Sequence, residues 1–356
     1  MIAPDDTIPP GKRAPFELGG ISVPPGGRAN IDIPLSLLYD HTPMAMNVTV
    51  VHGRRPGPVL FLTAAVHGDE INGTEIIRRV LNLSALRSLR GTVLAIPVVN
   101  VYGFISLTRY LPDRRDLNRS FPGSPTGSLA SQLAHTILTQ VISRCTHGVD
   151  LHTGAIHRAN LPQVRGDISD PNVRATAEAF GVPVILNAAL RDGSLRKAGI
   201  DEGIPVLVFE GGEALRFDES VIRAGVKGVA RVMESLDMIR RRPTRAPSKS
   251  FLARKSAWVR APAGGILRTS RRLGASVQEG DLMGMIGDPY GEQDVPVIST
   301  ADGIVIGMSN LPVVNQGDAL FNVALISDTD AASEAVDIFQ DDWEQNSHIF
   351  DGVDTT

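Results

Sequence analysis

The residues most suited to chemistry stand at the ends of apolar runs. His67-Gly-Asp-Glu70 follows directly on Val59–Val66 (VLFLTAAV). A His and a Glu three apart at the end of a strand can turn toward one point. An imidazole nitrogen and a carboxylate oxygen both suit Zn²⁺. Asp150-Leu-His-Thr-Gly154 sits in the same context and offers His152 as a third ligand. His67, Glu70 and His152 then form a His₂Glu set, one ion per chain, with the fourth position left open. Asp150 stands behind as the group that orients an imidazole. The competing reading is a local Asp150–His152 pair.

Two further elements could act on a substrate. Asp116-Leu-Asn-Arg-Ser-Phe-Pro122, preceded by Arg109-Tyr110, falls in a long loop after an apolar run that ends near Asn100. Asn118 and Arg119 offer amide and guanidinium donors, and Arg grips a carboxylate in bidentate fashion. Arg114 and Arg115 read as a solvated basic stretch. Phe209-Glu210-Gly-Gly212 places a carboxylate at the end of Val206–Phe209, where it could serve as general base and then general acid. Glu213 competes for that role. Glu210 is preferred because it is nearer the end of the run and is followed by glycines that open space.

The elements that must position these residues alternate. Ile31–Leu38, Met46–Val51, Pro58–Val66, Thr92–Val99, Val149–His152, Pro183–Asn187 and Val206–Glu210 read as strands. Asn72–Leu83, Gly127–Arg144 and Asp218–Ile239 carry apolar residues at helical spacing. This predicts an α/β sheet flanked by helices, whose sites lie beyond the carboxyl ends of the strands. Residues 1–28 read as an irregular arm, 29–240 as the catalytic domain, Arg240–Ser250 as a basic linker, 251–327 as an all-β module and 328–356 as an acidic tail.

The β module repeats itself weakly. Ala261–Leu267 resembles Ser299–Val305, and Val277–Ile286 resembles Val314–Val323. Two such halves resemble the biotinyl/lipoyl type of flattened barrel. The intervening Gly287–Pro296 has no lysine, and the last lysine is Lys255, so a swinging-arm carrier is excluded. A structural or oligomerising module, and with it a possible homo-oligomer, is expected instead.

The net charge of −4 hides an asymmetry. From Leu273 onward there are 16 Asp and Glu and no Lys or Arg, which leaves the rest of the chain at +12. The basic part contains the proposed site and suits a small anionic substrate. In the tail, Ile338, Phe339, Trp343, Ile349 and Phe350 suggest docking on the body or on a neighbouring subunit. One cysteine, Cys145, precludes an intrachain disulfide. No secretory signal or membrane-spanning run is apparent, so a cytoplasmic location is expected. The basic residues do not interleave with aromatics, which disfavours nucleic acid as a partner.

Taken together, His67-Gly-Asp-Glu70, Asp116-Leu-Asn-Arg119, Asp150-Leu-His152 and Glu210 resemble the aspartoacylase/succinylglutamate desuccinylase family. The resemblance covers roughly residues 51–239 and follows the family's order. It implies a zinc-carboxypeptidase-like mixed sheet flanked by helices, with a C-terminal all-β barrel-like module. It implies a zinc-dependent removal of an acyl group from an N-acyl amino acid, with Glu210 as base and acid. Arg109 would stabilise the oxyanion, and Asn118 and Arg119 would bind the substrate carboxylate. The stretch His157–Arg165 lies just past the third ligand and is expected to shape the acyl or amino-acid pocket, with no residue in it assigned a firm role. A carboxypeptidase-like peptidase is the first alternative, and a non-catalytic binding protein of the same fold is the second.

Overall fold

The structure is a computed structural model and describes residues 13–241, 250–326 and 329–345. Most of the expected linker, and the tail beyond Gln345, therefore lie outside the described residues.

A thirteen-stranded mixed sheet organises the chain. Its main path runs Arg28–Leu37, Pro43–His52, Arg90–Ile96, Arg55–Ala64, His147–Gly154, Val206–Glu213, Arg158–Gly166, Gly303–Ser309, Ala319–Ala324 and Ser256–Arg260. The central strands Arg90–Ile96, Arg55–Ala64, His147–Gly154 and Val206–Glu213 are parallel to one another. Burial on both faces explains their near-continuous apolar composition. Along Arg55–Ala64, Leu60, Leu62 and Ala64 join one core cluster, and Phe61 joins the other. That alternation is the two-residue period of a strand.

Helices cover both faces. Asn72–Val80, Pro171–Phe180 and Glu219–Ser235 pack Ile76, Phe180 and Val229 on one side. Leu129–Gln140 and Leu195–Asp201 pack Leu133, Ile137 and Leu195 on the other. Side chains set several helix starts. The Asp218 carboxylate accepts from Ser220 N and Val221 N, and Ser128 Oγ accepts from Ser131 N. Among the described residues no helix is long and apolar enough to cross a membrane.

The described part of the arm, residues 13–28, is less irregular than expected. Phe16–Leu18 and Ile21–Val23 form an antiparallel hairpin around Gly19 and Gly20, both at positive φ. Leu18 and Val23 are buried, and that burial fixes the hairpin on the body. In the C-terminal module the repeat has a structural counterpart. Gly265–Thr269 of the first half pairs with Val313–Val314 of the second, and Gly303–Ser309 of the second pairs with Ser276–Val277 of the first. Each half thus completes the other. Gly303–Ser309 also pairs with Arg158–Gly166, so the module's strands continue the large sheet. The tail begins as the helix Thr329–Gln345, whose Ala332, Ala335 and Val336 are buried against Phe251 and Ile304. Cys145 is buried and free, and burial pushes its thiol pKa up, away from reactivity.

Candidate metal centre

The site lies beyond the carboxyl ends of the central parallel strands. After Ala64 the backbone turns through Ala65 at φ 51°, and Glu70 N closes a tight turn on the His67 carbonyl at 3.1 Å. Gly68 inside that turn is dictated by packing. A Cβ there would lie 2.0 Å from the Gly103 carbonyl carbon, which is backbone and cannot swing away. His152 and Glu210 occupy partnered positions on adjacent parallel strands, and Asp150 partners Thr63 on the other side. Sheet register therefore sets the spacing between motifs that are far apart in sequence.

His67, Glu70 and His152 each bring one donor atom to within 4.8 Å of the others, and all three are buried. His67 Nδ1 and His152 Nδ1 each lie 2.7 Å from one Glu70 oxygen. The opposite ring nitrogens face carboxylates, with His67 Nε2 at 3.2 Å from Asp116 Oδ1 and His152 Nε2 at 2.8 Å from Asp150 Oδ2. Thr63 Oγ1 donates to Asp150 Oδ1 at 2.8 Å and fixes that carboxylate in turn. A carboxylate behind each imidazole holds the ring with Nδ1 turned toward Glu70, the side on which a metal would bind.

Charge balance also fits a divalent ion. Glu70, Asp116 and Asp150 carry three negative charges, and Arg109 supplies one positive charge through Glu70 Oε1 at 3.2 Å and Asp116 Oδ2 at 2.9 Å. Two charges are missing if both imidazoles are neutral. Burial works to lower the His67 pKa, yet Glu70 and Asp116 prevail and raise it. The same contest, with Asp150 and Glu70 opposing burial, raises His152 well above its ordinary value. Burial would raise Glu70, but the two imidazoles hold it well below the usual carboxylate range. Without a metal the cluster thus attracts protons, and a divalent cation would take their place. Two imidazoles, one carboxylate and fixed outer partners fit Zn²⁺ as a donor set.

These residues open into a cleft of about 510 Å³ that Arg109, Asn118, Arg119 and Glu210 also line. Asp116 anchors one wall. Its carboxylate accepts from Asn118 N at 2.8 Å as well as from Arg109 and His67. The 109–122 loop is tied to the 188–196 segment, with Leu195 N donating to Asn118 Oδ1 at 2.9 Å and Phe121 N to the Gly193 carbonyl at 3.0 Å. Gly193 sits at φ 78°, and a Cβ there would lie 2.6 Å from the Arg119 carbonyl oxygen. The Asn118 amide oxygen is thus engaged, and its NH₂ is the part left for a ligand. Arg119 donates to the Asn118 carbonyl.

Glu210 accepts from Asn160 Nδ2 at 2.8 Å through one oxygen and lies 3.4 Å from Arg165 Nη1 through the other. Glu213 is placed differently. Its oxygens accept from His157 N at 3.0 Å and Asn310 Nδ2 at 2.7 Å, joining the 155–157 turn to the C-terminal module. Every residue named from the sequence as ligand, base or substrate contact thus reaches one cleft. Arg158, Asn160 and Arg165, from the stretch His157–Arg165, line it as well, and sequence reasoning did not single out Arg191, Arg196 or Trp258, which also line it. Arg191 and Arg196 follow the strand Val184–Asn187. That strand runs antiparallel to the central strands, so the strand-end rule that located the other motifs does not reach them. Trp258 comes from the C-terminal module and lies under the Arg158 guanidinium, 5.3 Å from the ring centroid.

The family model "Succinylglutamate desuccinylase/Aspartoacylase catalytic domain" matches residues 56–236. The N-alpha-acetyl-L-2,4-diaminobutyric acid deacetylase of Halomonas elongata is 25% identical over 294 residues, which span 78% of this chain and 84% of that protein. The crystal structure of succinylglutamate desuccinylase/aspartoacylase from Rhodobacter sphaeroides is 27% identical, with a TM-score of 0.74 over 84% of this chain and 95% of that one. The product-bound ectoine utilization protein EutE (DoeB) of Ruegeria pomeroyi has a TM-score of 0.78 at 21% identity, covering 88% of this chain and 99% of that one. At that identity the last likeness shows the fold alone.

Proposed function

Because the chain belongs to the succinylglutamate desuccinylase/aspartoacylase family, we propose that it is a zinc-dependent amidohydrolase that removes the acyl group from a small N-acylated amino acid. One observation carries this reading. The His67, Glu70 and His152 donors converge within 4.8 Å, in the same cleft as Glu210, Arg109, Asn118 and Arg119. The deacetylase relative from Halomonas elongata supports the reaction class. The family also supports a zinc-carboxypeptidase-like sheet, and the reciprocal pairing of the two halves supports a barrel-like C-terminal module.

Zn²⁺ held by His67, Glu70 and His152 would supply Lewis acidity, activating water and polarising the amide carbonyl. Asp150 and Asp116 keep the imidazoles in the tautomer that presents Nδ1. Glu210 takes the proton of the attacking water and returns it to the leaving amine nitrogen. Asn160 holds the Glu210 carboxylate in place for both transfers. The Arg109 guanidinium, fixed by Asp116 and Glu70, stabilises the charge that develops on the carbonyl oxygen. Arg119, with the Asn118 amide NH₂, binds the substrate carboxylate. A cytoplasmic location suits the single buried thiol.

Steady-state hydrolysis of N-acetyl amino acids and of unblocked dipeptides by zinc-loaded protein tests the reaction class. N-acetyl amino acids are expected to turn over at least about 100-fold faster in kcat/KM, the discrimination that one altered substrate group in a pocket supplies. The reverse order would make the protein a peptidase.

A further inference from the structure

A second concavity, of about 330 Å³, lies at the opposite edge of the sheet. It shares no lining residue with the catalytic cleft. The cleft opens beyond the carboxyl ends of the central strands. Here Arg54 directly precedes the strand Arg55–Ala64, and Arg87 stands just before Arg90–Ile96. Arg28, Arg54 and Arg87 line this concavity, and among the described residues no Asp or Glu does. None of the three arginines has an ion-pair partner among the described residues. Elsewhere on the surface Arg78, Arg174 and Arg268 each meet a carboxylate.

Two of these guanidiniums are held by backbone. Arg28 Nη1 donates to the Leu81 carbonyl at 2.9 Å, just past the helix Asn72–Val80. The Arg54 side chain lies across Gly26, its guanidinium carbon 2.9 Å from where a Cβ at Gly26 would stand. Gly26 N donates to the His52 carbonyl at 2.6 Å, and His52 N to the Gly27 carbonyl at 2.9 Å, which fixes the floor. Arg13 adds a fourth positive charge behind that floor. Its Nη1 donates to the Gly53 and Gly91 carbonyls, both at 2.8 Å. A concave surface lined by one sign of charge concentrates its potential and attracts the opposite ion. Guanidinium groups match the oxygens of a phosphate, and a phosphate monoester carries about −1.5 to −2 near neutral pH. His52 is the one ring in the lining, and it is 2% exposed. No platform for stacking a nucleobase is therefore present. Leu83 and Leu86 offer an apolar wall to an aliphatic skeleton instead.

We propose that Arg28, Arg54 and Arg87 form an anion site, separate from the catalytic cleft, that takes the phosphate group of a small aliphatic compound. The site does not depend on the deacylase reading. An anion held there joins the turn at Gly53 and Arg54 to the short helix Ser84–Ser88, from which Arg87 comes.

Calorimetry and hydrogen exchange read by mass spectrometry test the site, with inorganic phosphate as probe and acetate at equal ionic strength as control. Phosphate is expected to bind wild-type protein at least about tenfold more tightly than acetate. At roughly ten times its Kd, phosphate should slow amide exchange about tenfold in segments 52–55 and 82–88. Arg54→Gln and Arg87→Gln should each weaken the affinity about tenfold, so that the same phosphate concentration slows exchange only about twofold. Both arginines are exposed, so both variants are expected to keep the wild-type Tm. Arg119→Gln, in the catalytic cleft, should leave the effect on 52–55 and 82–88 intact. Equal affinity for phosphate and acetate overturns the proposal whether or not the variants fold. Slowed exchange confined to the cleft segments 109–122 and 188–196 overturns it too. So does slowing in 52–55 and 82–88 that persists undiminished in both folded variants.

Discussion

Replacing Glu210 with Gln is expected to lower kcat by about 10³-fold while the metal content stays at the wild-type level. General acid–base catalysis contributes roughly 10²- to 10⁴-fold. One group that serves both proton transfers belongs in the upper part of that range. A factor of 10³ corresponds to about 4 kcal/mol of transition-state stabilisation. The substitution keeps the size of the side chain and the oxygen that accepts from Asn160. It removes the capacity to take a proton, together with the ion pair of the other oxygen to Arg165. Glu210 lies outside the His67–Glu70–His152 group, so metal binding should not suffer. Measuring kcat and metal content on the same preparation checks both halves. Glu213 is poorly placed to substitute, since both its oxygens are engaged by His157 and Asn310. Activity retained in Glu210→Gln would remove the proposed base.

The second large effect is expected from His152→Ala. This change deletes one of the three converging donors and frees Asp150 from the imidazole it holds. Two remaining donors do not make a catalytic zinc site, which uses three protein ligands. Metal content should fall to near zero, and hydrolysis below detection. Thermal unfolding gives a readout that does not depend on substrate. A ligand at 1,000 times its dissociation constant stabilises the folded state by about 4 kcal/mol. Added zinc should therefore raise the Tm of the chelator-treated wild-type chain and leave that of His152→Ala unchanged. An equal zinc shift in both proteins would place the metal elsewhere. Asp150 keeps its bond from Thr63 in the variant, which limits the structural damage.

Much of the site could be read from the sequence because its chemistry follows one physical rule. Polar residues just beyond buried parallel strands end up on one edge of the sheet. His67 and Glu70 stand just past Ala64, His152 and Glu210 stand near the carboxyl ends of His147–Gly154 and Val206–Glu213, and all three strand segments were recognisable from apolar runs alone. The 109–122 loop stood out by its length and its Asn118-Arg119 pair. The stretch His157–Arg165 stood out by its place after the third ligand, but not as the strand Arg158–Gly166. Its sequence, RANLPQVRG, mixes Arg, Asn and Gln with a proline and lacks an apolar run. It is a strand because Val206–Glu213 and Gly303–Ser309 pair with its two edges, contacts that span roughly fifty to 150 residues of chain. The helix Leu195–Asp201 is seven residues long and contains Gly199, too little for a periodic signal. Both missed elements carry cleft arginines. The charge asymmetry of the sequence indicated an anionic substrate, but only the packing showed which arginines line the cleft.

The metal centre is the claim on which the other roles depend. The most direct test follows metal content and N-acyl amino acid hydrolysis together, in purified protein first treated with chelator and then titrated with Zn²⁺. One zinc per chain is expected to bind, with activity absent before the addition and restored in proportion up to one equivalent. Full turnover by metal-free protein in the presence of chelator would contradict the account.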